Sequence, residues 1–336
     1  RHLLCQSSYF RSLANANQER IMVNAATSAS VYEPVPYWAK LPHPMFFKEA
    51  TSVAVDSNDN VYVFNRGDHP VIIFDKEGNF LETWGAGEFV RPHGITIDAN
   101  DNLFLADDDA HMIEKRTKDG KLIFRMGEKG KAAAWQEGDP FNRPTHVAIQ
   151  PDSGDLFISD GYGNSRIHKY DSDGTYIKSW GEPGSLPGQF SLPHNIAMNG
   201  TDKVTLADRE NFRLQTFTTD GEFVKQIHSH RPIAITNGKG ADTNLYVAEA
   251  GPPPVQEGVR RLGLRVVVMD REGNDVTQFG NEHGGEGHDQ FIAPHALAVD
   301  SEGSVYIAEV SYTAFGSQQD PVREVTSLRK WKRVSG

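Results

Sequence analysis

One pattern recurs six times along the 336 residues: an alternating apolar run, a turn of Asp, Asn and Gly, then a second apolar run. The copies start at Ser52 (SVAVDSNDNVYVFNRG), Gly94 (GITIDANDNLFLADDD), His146 (HVAIQPDSGDLFISDGYGN), Asn195 (NIAMNGTDKVTLADREN), Pro232 (PIAITNGKGADTNLYVAEA) and Ala296 (ALAVDSEGSVYIAEVSY). Most continue into a third strand, a turn such as DKEGNF, TKDGKL or DSDGTY, and a fourth strand that closes on Trp-Gly, Met-Gly or Phe-Gly in four copies. A unit this short cannot bury its own faces and must stack on its neighbours. Four short strands joined by tight turns describe a propeller blade, so the chain is expected to be all-β, a six-bladed β-propeller. Period-two pairs such as Val53/Val55, Ile95/Ile97 and Val147/Ile149 put one face of each inner strand into the core between blades.

The register of the copies has a chemical consequence. His93 (FVRPHGITID), His194 (FSLPHNIAMN) and His295 (FIAPHALAVD) each follow Phe-x-x-Pro and precede an inner strand. Across blades one to six, the residue before the inner strand reads Thr51, His93, Thr145, His194, Arg231 and His295. Blades stand ~60° apart in such a ring, so blades two, four and six lie ~120° apart and aim their imidazoles at one point on the axis. Three neutral nitrogens around a cation leave a coordination position open, as a catalytic site requires. A single histidine there would ordinarily cap a strand or bond a loop; three at one register in alternate blades point to a metal site. Zinc suits imidazole ligands, and iron, copper and nickel accept them too.

Charge and cysteine content exclude several classes. The chain holds 34 Lys and Arg against 45 Asp and Glu, a formal −11, so no nucleic-acid partner is expected, since phosphate binding needs a basic face. Cys5 is the sole cysteine, which removes intrachain disulfides and thiolate metal clusters. Residues 1–30 are mixed and polar, without a signal-peptide core or membrane span. They read as a tail or expression remnant, with 31–336 a single catalytic propeller, a small molecule its partner, no membrane association and a cytoplasmic location. An early strand that pairs with the last blade would close the ring and remove exposed edges. The basic cluster from Arg323 to Arg333 reads as a last strand with a solvated edge.

The stretch FNRPTHVAIQPDSGDLFISDGYGNSRI, with NRGDH, PHGITID, GQFSLPHNIA and LADREN, resembles the lyase domain of peptidylglycine alpha-amidating enzymes, a six-bladed propeller of the NHL-repeat type. The similarity spans about residues 50–310. It implies a zinc held by three histidines, matching His93, His194 and His295, and cleavage of a peptidyl-alpha-hydroxyglycine to an amide and glyoxylate. It further implies that Tyr162 matches a catalytic tyrosine and that Arg66 and Arg209 match active-site arginines. A cation binding the hydroxyl of such a carbinolamide would lower its pKa, Tyr162 would serve as base, and the arginines would hold a carboxylate or stabilise the phenolate. Arg66 and Arg209 could equally be blade-to-blade salt bridges with Asp68, Asp107 or Glu210.

The chain departs from the family pattern in places. His146 and Ala296 stand where the family tends to have Asp, and Gly163 stands where it has a cysteine. Ala296 removes a carboxylate associated with a structural calcium in the family, which argues against calcium here. His146, one residue past the tripod register, is assigned a substrate-facing or metal-supporting role; as a fourth ligand it would point to a four-histidine iron oxygenase. The expected activity is therefore a metal-dependent lyase acting on an alpha-hydroxy amide or a related C–N or C–O compound. The alternatives are a metal-dependent hydrolase, hydratase or non-haem iron oxygenase, or a non-catalytic NHL-repeat binding propeller.

Overall fold

Successive side chains point to opposite sides of a strand, so near-continuous apolar runs such as VYVF and VIIF give a blade two apolar faces, and both must be covered. The computed structural model describes residues 31–137, 140–252, 262–281 and 283–335. The expected tail over 1–30 and most of the 250–265 insertion lie outside the described residues. Six four-stranded antiparallel sheets cover 50–84, 92–126, 146–180, 193–228, 232–279 and a composite last blade. In that last blade Pro294–Val299 pairs with Val305–Glu309, which pairs with Leu328–Ser335, whose outer edge takes up Val31–Val35. The ring is closed by a strand from the start of the described chain, and the basic Arg323–Arg333 stretch runs into its partner, Leu328–Ser335. No helix among the described residues is long and apolar enough to cross a membrane.

Consecutive residues of one inner strand serve opposite neighbours. In blade three Val147 packs with Phe104 and Ile113 of blade two, while Ala148 packs with Ile196 and Leu206 of blade four. The same division gives one apolar cluster at each of the six seams. Fully buried phenylalanines such as Phe104, Phe157 and Phe217 anchor them, each worth roughly 1.5–3 kcal/mol of burial. The seams hold the blades at fixed angles and so fix the axis.

At the axial end of each inner strand the alternation breaks. The ladder to the second strand skips Thr51, His93, His194, Ile233 and His295. In blade three it begins at His146, with the Thr145 N–H donating to the Ser159 carbonyl, so Thr145 stands in the same place. A bulge frees one side chain from the period-two pattern and re-aims it, here toward the axis. The axial residue of blade five is therefore Ile233, not the expected Arg231. Pro232 pairs with Glu249 as Pro92 pairs with Asp107 and Pro193 with Asp208, which shifts the blade by two residues. Alternation in PIAIT fits either frame; the proline decides between them.

Candidate metal centre

The bulges in blades two, four and six deliver three buried imidazoles to the hub. His93 Nδ1 lies 2.8 Å from the Thr145 carbonyl, His194 Nδ1 2.7 Å from that of Ile233, and His295 Nδ1 2.6 Å from that of Thr51. A carbonyl only accepts, so each Nδ1 carries the proton and donates, leaving the Nε2 lone pair for the axis. Each carbonyl belongs to the bulged residue of the next blade, so the blades without histidine orient the histidines of the others. The potential ligand atoms all lie within 4.8 Å of one another, and the ring centroids are 4.7, 4.8 and 5.0 Å apart. A Cβ on Gly94 would sit 2.4 Å from the Thr145 oxygen; glycine beside His93 is what lets that carbonyl reach the ring.

Burial is the main force on the three rings and pushes each well below the ordinary histidine value, His295 to about 3. Neighbouring imidazoles and the cations Arg66 and Arg209 push the same way. At neutral pH all three are uncharged, the state in which imidazole binds a cation. The donor set fits a divalent transition metal: three neutral nitrogens of fixed tautomer with their lone pairs convergent. His146 is not a member of the cluster.

Tyr162 follows the second strand of blade three, Leu156–Asp160. Its hydroxyl lies 3.1 Å from His93 Nε2 and 3.2 Å from His194 Nε2. Both nitrogens accept, so the single O–H donates to one at a time. Burial raises the phenol above its ordinary range; Arg209, Arg91 and Arg66 pull it down without cancelling the rise. A Cβ at Gly163 would meet Asn142 Oδ1 at 2.1 Å, so no cysteine fits there as the chain is arranged.

Arg66 directly follows the second strand of blade one and Arg209 that of blade four. Arg66 Nε donates to the Pro92 carbonyl at 3.0 Å and Nη1 to Glu49 Oε2 at 2.8 Å, while Nη2 is enclosed without a partner. Arg209 Nε donates to Glu210 Oε1 at 2.8 Å, and Glu210 also binds Arg231. Both arginines are thus paired, with Glu49 and Glu210 rather than Asp68 or Asp107, and both are close enough to the hub for their charge to depress its histidines.

His146 occupies the seam between blades three and four. Its counterparts Ser52 and Asn195 each accept a backbone N–H of the next blade, from Ile95 and Ile235, both at 3.1 Å. Burial lowers the His146 ring to about 4, with backbone hydrogen bonding at Val147 and Ile196 opposing the shift, and Nδ1 is enclosed without a partner. Sequence reading passed over three further charged groups at the mouth of the hub: Arg91, Arg143 and Asp108, all in contact with each other or with the Tyr162 ring. The signal for the arginines was present in Arg91-Pro92, Arg143-Pro144 and Arg231-Pro232, one position in three copies.

No family model matches the chain. The chain is 30% identical to peptidyl-glycine alpha-amidating monooxygenase of Mus musculus over 304 residues, covering 78% of this chain but only 29% of that protein. Peptidyl-alpha-hydroxyglycine alpha-amidating lyase 1 of Drosophila melanogaster is 32% identical, over 70% of this chain and 45% of its own length. NHL repeat-containing protein 3 of Homo sapiens is 30% identical, over 81% of this chain and 80% of its own length. The virginiamycin B lyase of Staphylococcus aureus superposes with a TM-score of 0.57 over 91% of this chain and all of that one, at 13% identity, a likeness of fold alone. With its six blades and these relatives, the chain belongs to the NHL-repeat six-bladed propeller family that includes the peptidyl-alpha-hydroxyglycine alpha-amidating lyases.

Proposed function

We propose that the chain is a metal-dependent lyase that splits an alpha-hydroxy amide, or a related small C–N or C–O compound, into an amide and a carbonyl product. One observation carries the reading: three proton-free Nε2 atoms converge, and the Tyr162 hydroxyl reaches two of them. The relatives named as amidating lyases supply the substrate class. His93, His194 and His295 would hold the ion, with zinc the best match to three imidazoles. When bound, such an ion supplies Lewis acidity to a substrate oxygen.

The bond changes balance without water or an oxidant. The substrate hydroxyl loses its proton and its oxygen forms the C=O bond; the C–N bond breaks with its electron pair going to nitrogen, which takes up a proton. As the phenolate, which Arg209, Arg91, Arg66 and a bound ion would favour against the opposing effect of burial, Tyr162 is placed to accept the first proton and can return it to the departing nitrogen. Arg66 keeps an unpartnered Nη2 and Arg209 has N–H groups beyond its bond to Glu210, so the two can fix a substrate carboxylate.

The test is metal quantitation on purified protein, followed by incubation with N-acyl-alpha-hydroxyglycines. The expected result is one metal per chain, equal yields of amide and glyoxylate, and loss of turnover with a chelator that metal restores. Protein that retains no metal after excess supply, or releases no glyoxylate from any member of the series, overturns the reading in favour of a binding propeller. Turnover that needs dioxygen overturns it in favour of an oxygenase.

A further inference from the structure

We infer that Asp108 is a positioning residue for Tyr162, acting through Arg91 and Arg143. The inference rests on the reading of Tyr162 as the proton-accepting group. The guanidinium carbon of Arg143 lies 4.8 Å from the Tyr162 ring centroid and that of Arg91 5.7 Å, both within cation–π range. Both arginines bind the same oxygen, Asp108 Oδ2, at 2.8 and 2.6 Å, and Arg143 also reaches Asp109 Oδ1 at 2.9 Å. The Asp108 side chain is 0% exposed and each arginine 31%. The carboxylate is the fixed point, and the long side chains are the parts it holds.

The need for such a clamp follows from the hub. Among the described residues, the Tyr162 hydroxyl is anchored only through the Nε2 atoms of His93 and His194, the lone pairs that a metal ion would use. With an ion held there, the hydroxyl would lose both acceptors. Tyr162 sits between Gly161 and Gly163, neither of which offers a side chain to brace it. The ring then rests on the edges of the two imidazoles and on the two guanidiniums. Two like charges drawn to one ring need a common anion: Asp108 is the buried one, while the more exposed Asp109 lies 2.9 Å from Arg143 and 4.0 Å from Arg91. Without the Asp108 charge only the 43% exposed Asp109 offsets their repulsion, and the arginines are free to turn toward solvent.

The experiment labels the protein with 3-fluorotyrosine and assigns the Tyr162 fluorine signal by its loss in Tyr162→Phe. Asp108→Asn keeps the volume and removes the charge. It should shift or broaden that signal in both metal-free and zinc-loaded protein, leave the zinc content unchanged, and lower kcat by roughly 10- to 100-fold, the scale expected of a misplaced catalytic group. KM should change by less than about threefold, since no substrate contact is removed. Asp108→Glu should recover part of the loss. Should Asp108→Asn fail to fold, Arg143→Asn serves: Arg143 has a left-handed φ of 69°, which asparagine tolerates, and the change removes one guanidinium from the ring. A fluorine signal unmoved in the folded variants overturns the inference. A signal that responds in a protein with no lyase turnover upholds the clamp while the proposed reaction falls.

Discussion

The hub and the mouth of this ring are made from the same six units by opposite rules. At the hub, His93, His194 and His295 alternate with Thr145, Ile233 and Thr51, and each imidazole–carbonyl pair repeats the others. At the mouth the copies diverge. The turns after the second strands carry Arg66, Asp108, Tyr162 and Arg209 in blades one to four, and the position before the proline is arginine in blades two, three and five but Leu192 and Ala293 in four and six. A spherical cation suits ligands that are alike, whereas an organic substrate has unlike ends and needs unlike neighbours. Repetition therefore marks the candidate metal centre, and its breakdown marks the place where substrate would lie.

The most severe way to break the hub is His194→Ala. It deletes one of three nitrogens and orphans the Ile233 carbonyl, so the purified variant should keep roughly a tenth or less of the wild-type metal and show no turnover. Ile233→Val is the matched control: it keeps the carbonyl, and metal content by elemental analysis should not change. Equal metal in His194→Ala and wild type would detach this histidine from any ion. Tyr162→Phe probes the mouth instead. It should retain full metal and lose about 10²- to 10⁴-fold in kcat, the range for a lost acid–base group; a full rate would remove the tyrosine from the chemistry.

Whatever repeats in this chain was legible in its sequence, and whatever departs from the repeat was legible only in part. Six copies of one pattern announce the propeller, and the Phe-x-x-Pro-His spacing announces the tripod, because both are periodic. Blade five is ambiguous in sequence because its alternating residues fit two frames, and only Pro232, set beside Pro92 and Pro193, resolves them. Asp108 was hidden in ADDDA, where three carboxylates in a row look alike. In space they separate: Asp107 accepts the N–H groups of Val90 and Arg91, Asp108 holds two arginines, and Asp109 is 43% exposed. Burial order within a turn depends on the neighbouring blade, which local sequence does not contain.

A subtler break of the hub leaves all ligands in place. Gly94→Ala puts a methyl group 2.4 Å from the Thr145 oxygen, a backbone atom that can yield only by moving a strand of blade three. The expected cost is about 1–3 kcal/mol of stability, as for overpacking elsewhere, read as a lower unfolding midpoint together with weaker metal retention, because the same oxygen orients His93. A variant with unchanged stability and metal affinity would mean that the carbonyl does not fix the ring.

His146 offers the finest test, since it lies beside the hub without belonging to it. Its ring is held at about 4 by burial, against about 6.5 in an unfolded chain. Between those values the unfolded chain takes up a proton that the folded ring refuses, so this group leaves stability untouched above pH 6.5 and erodes it as pH falls toward 4. Each pH unit in that window costs about 1.4 kcal/mol, at most about 3 kcal/mol in all for one such histidine. Blade four shows the remedy at the equivalent place, where Asn195 Oδ1 accepts the Ile235 N–H at 3.1 Å. His146→Asn should therefore match wild type in urea midpoint at pH 7.5 and exceed it at pH 4.5, with metal content at pH 7.5 unchanged. A variant that loses metal at pH 7.5 would place His146 in the service of the ion after all, and one that gains nothing at pH 4.5 would show that His146 carries none of the acid sensitivity of the fold.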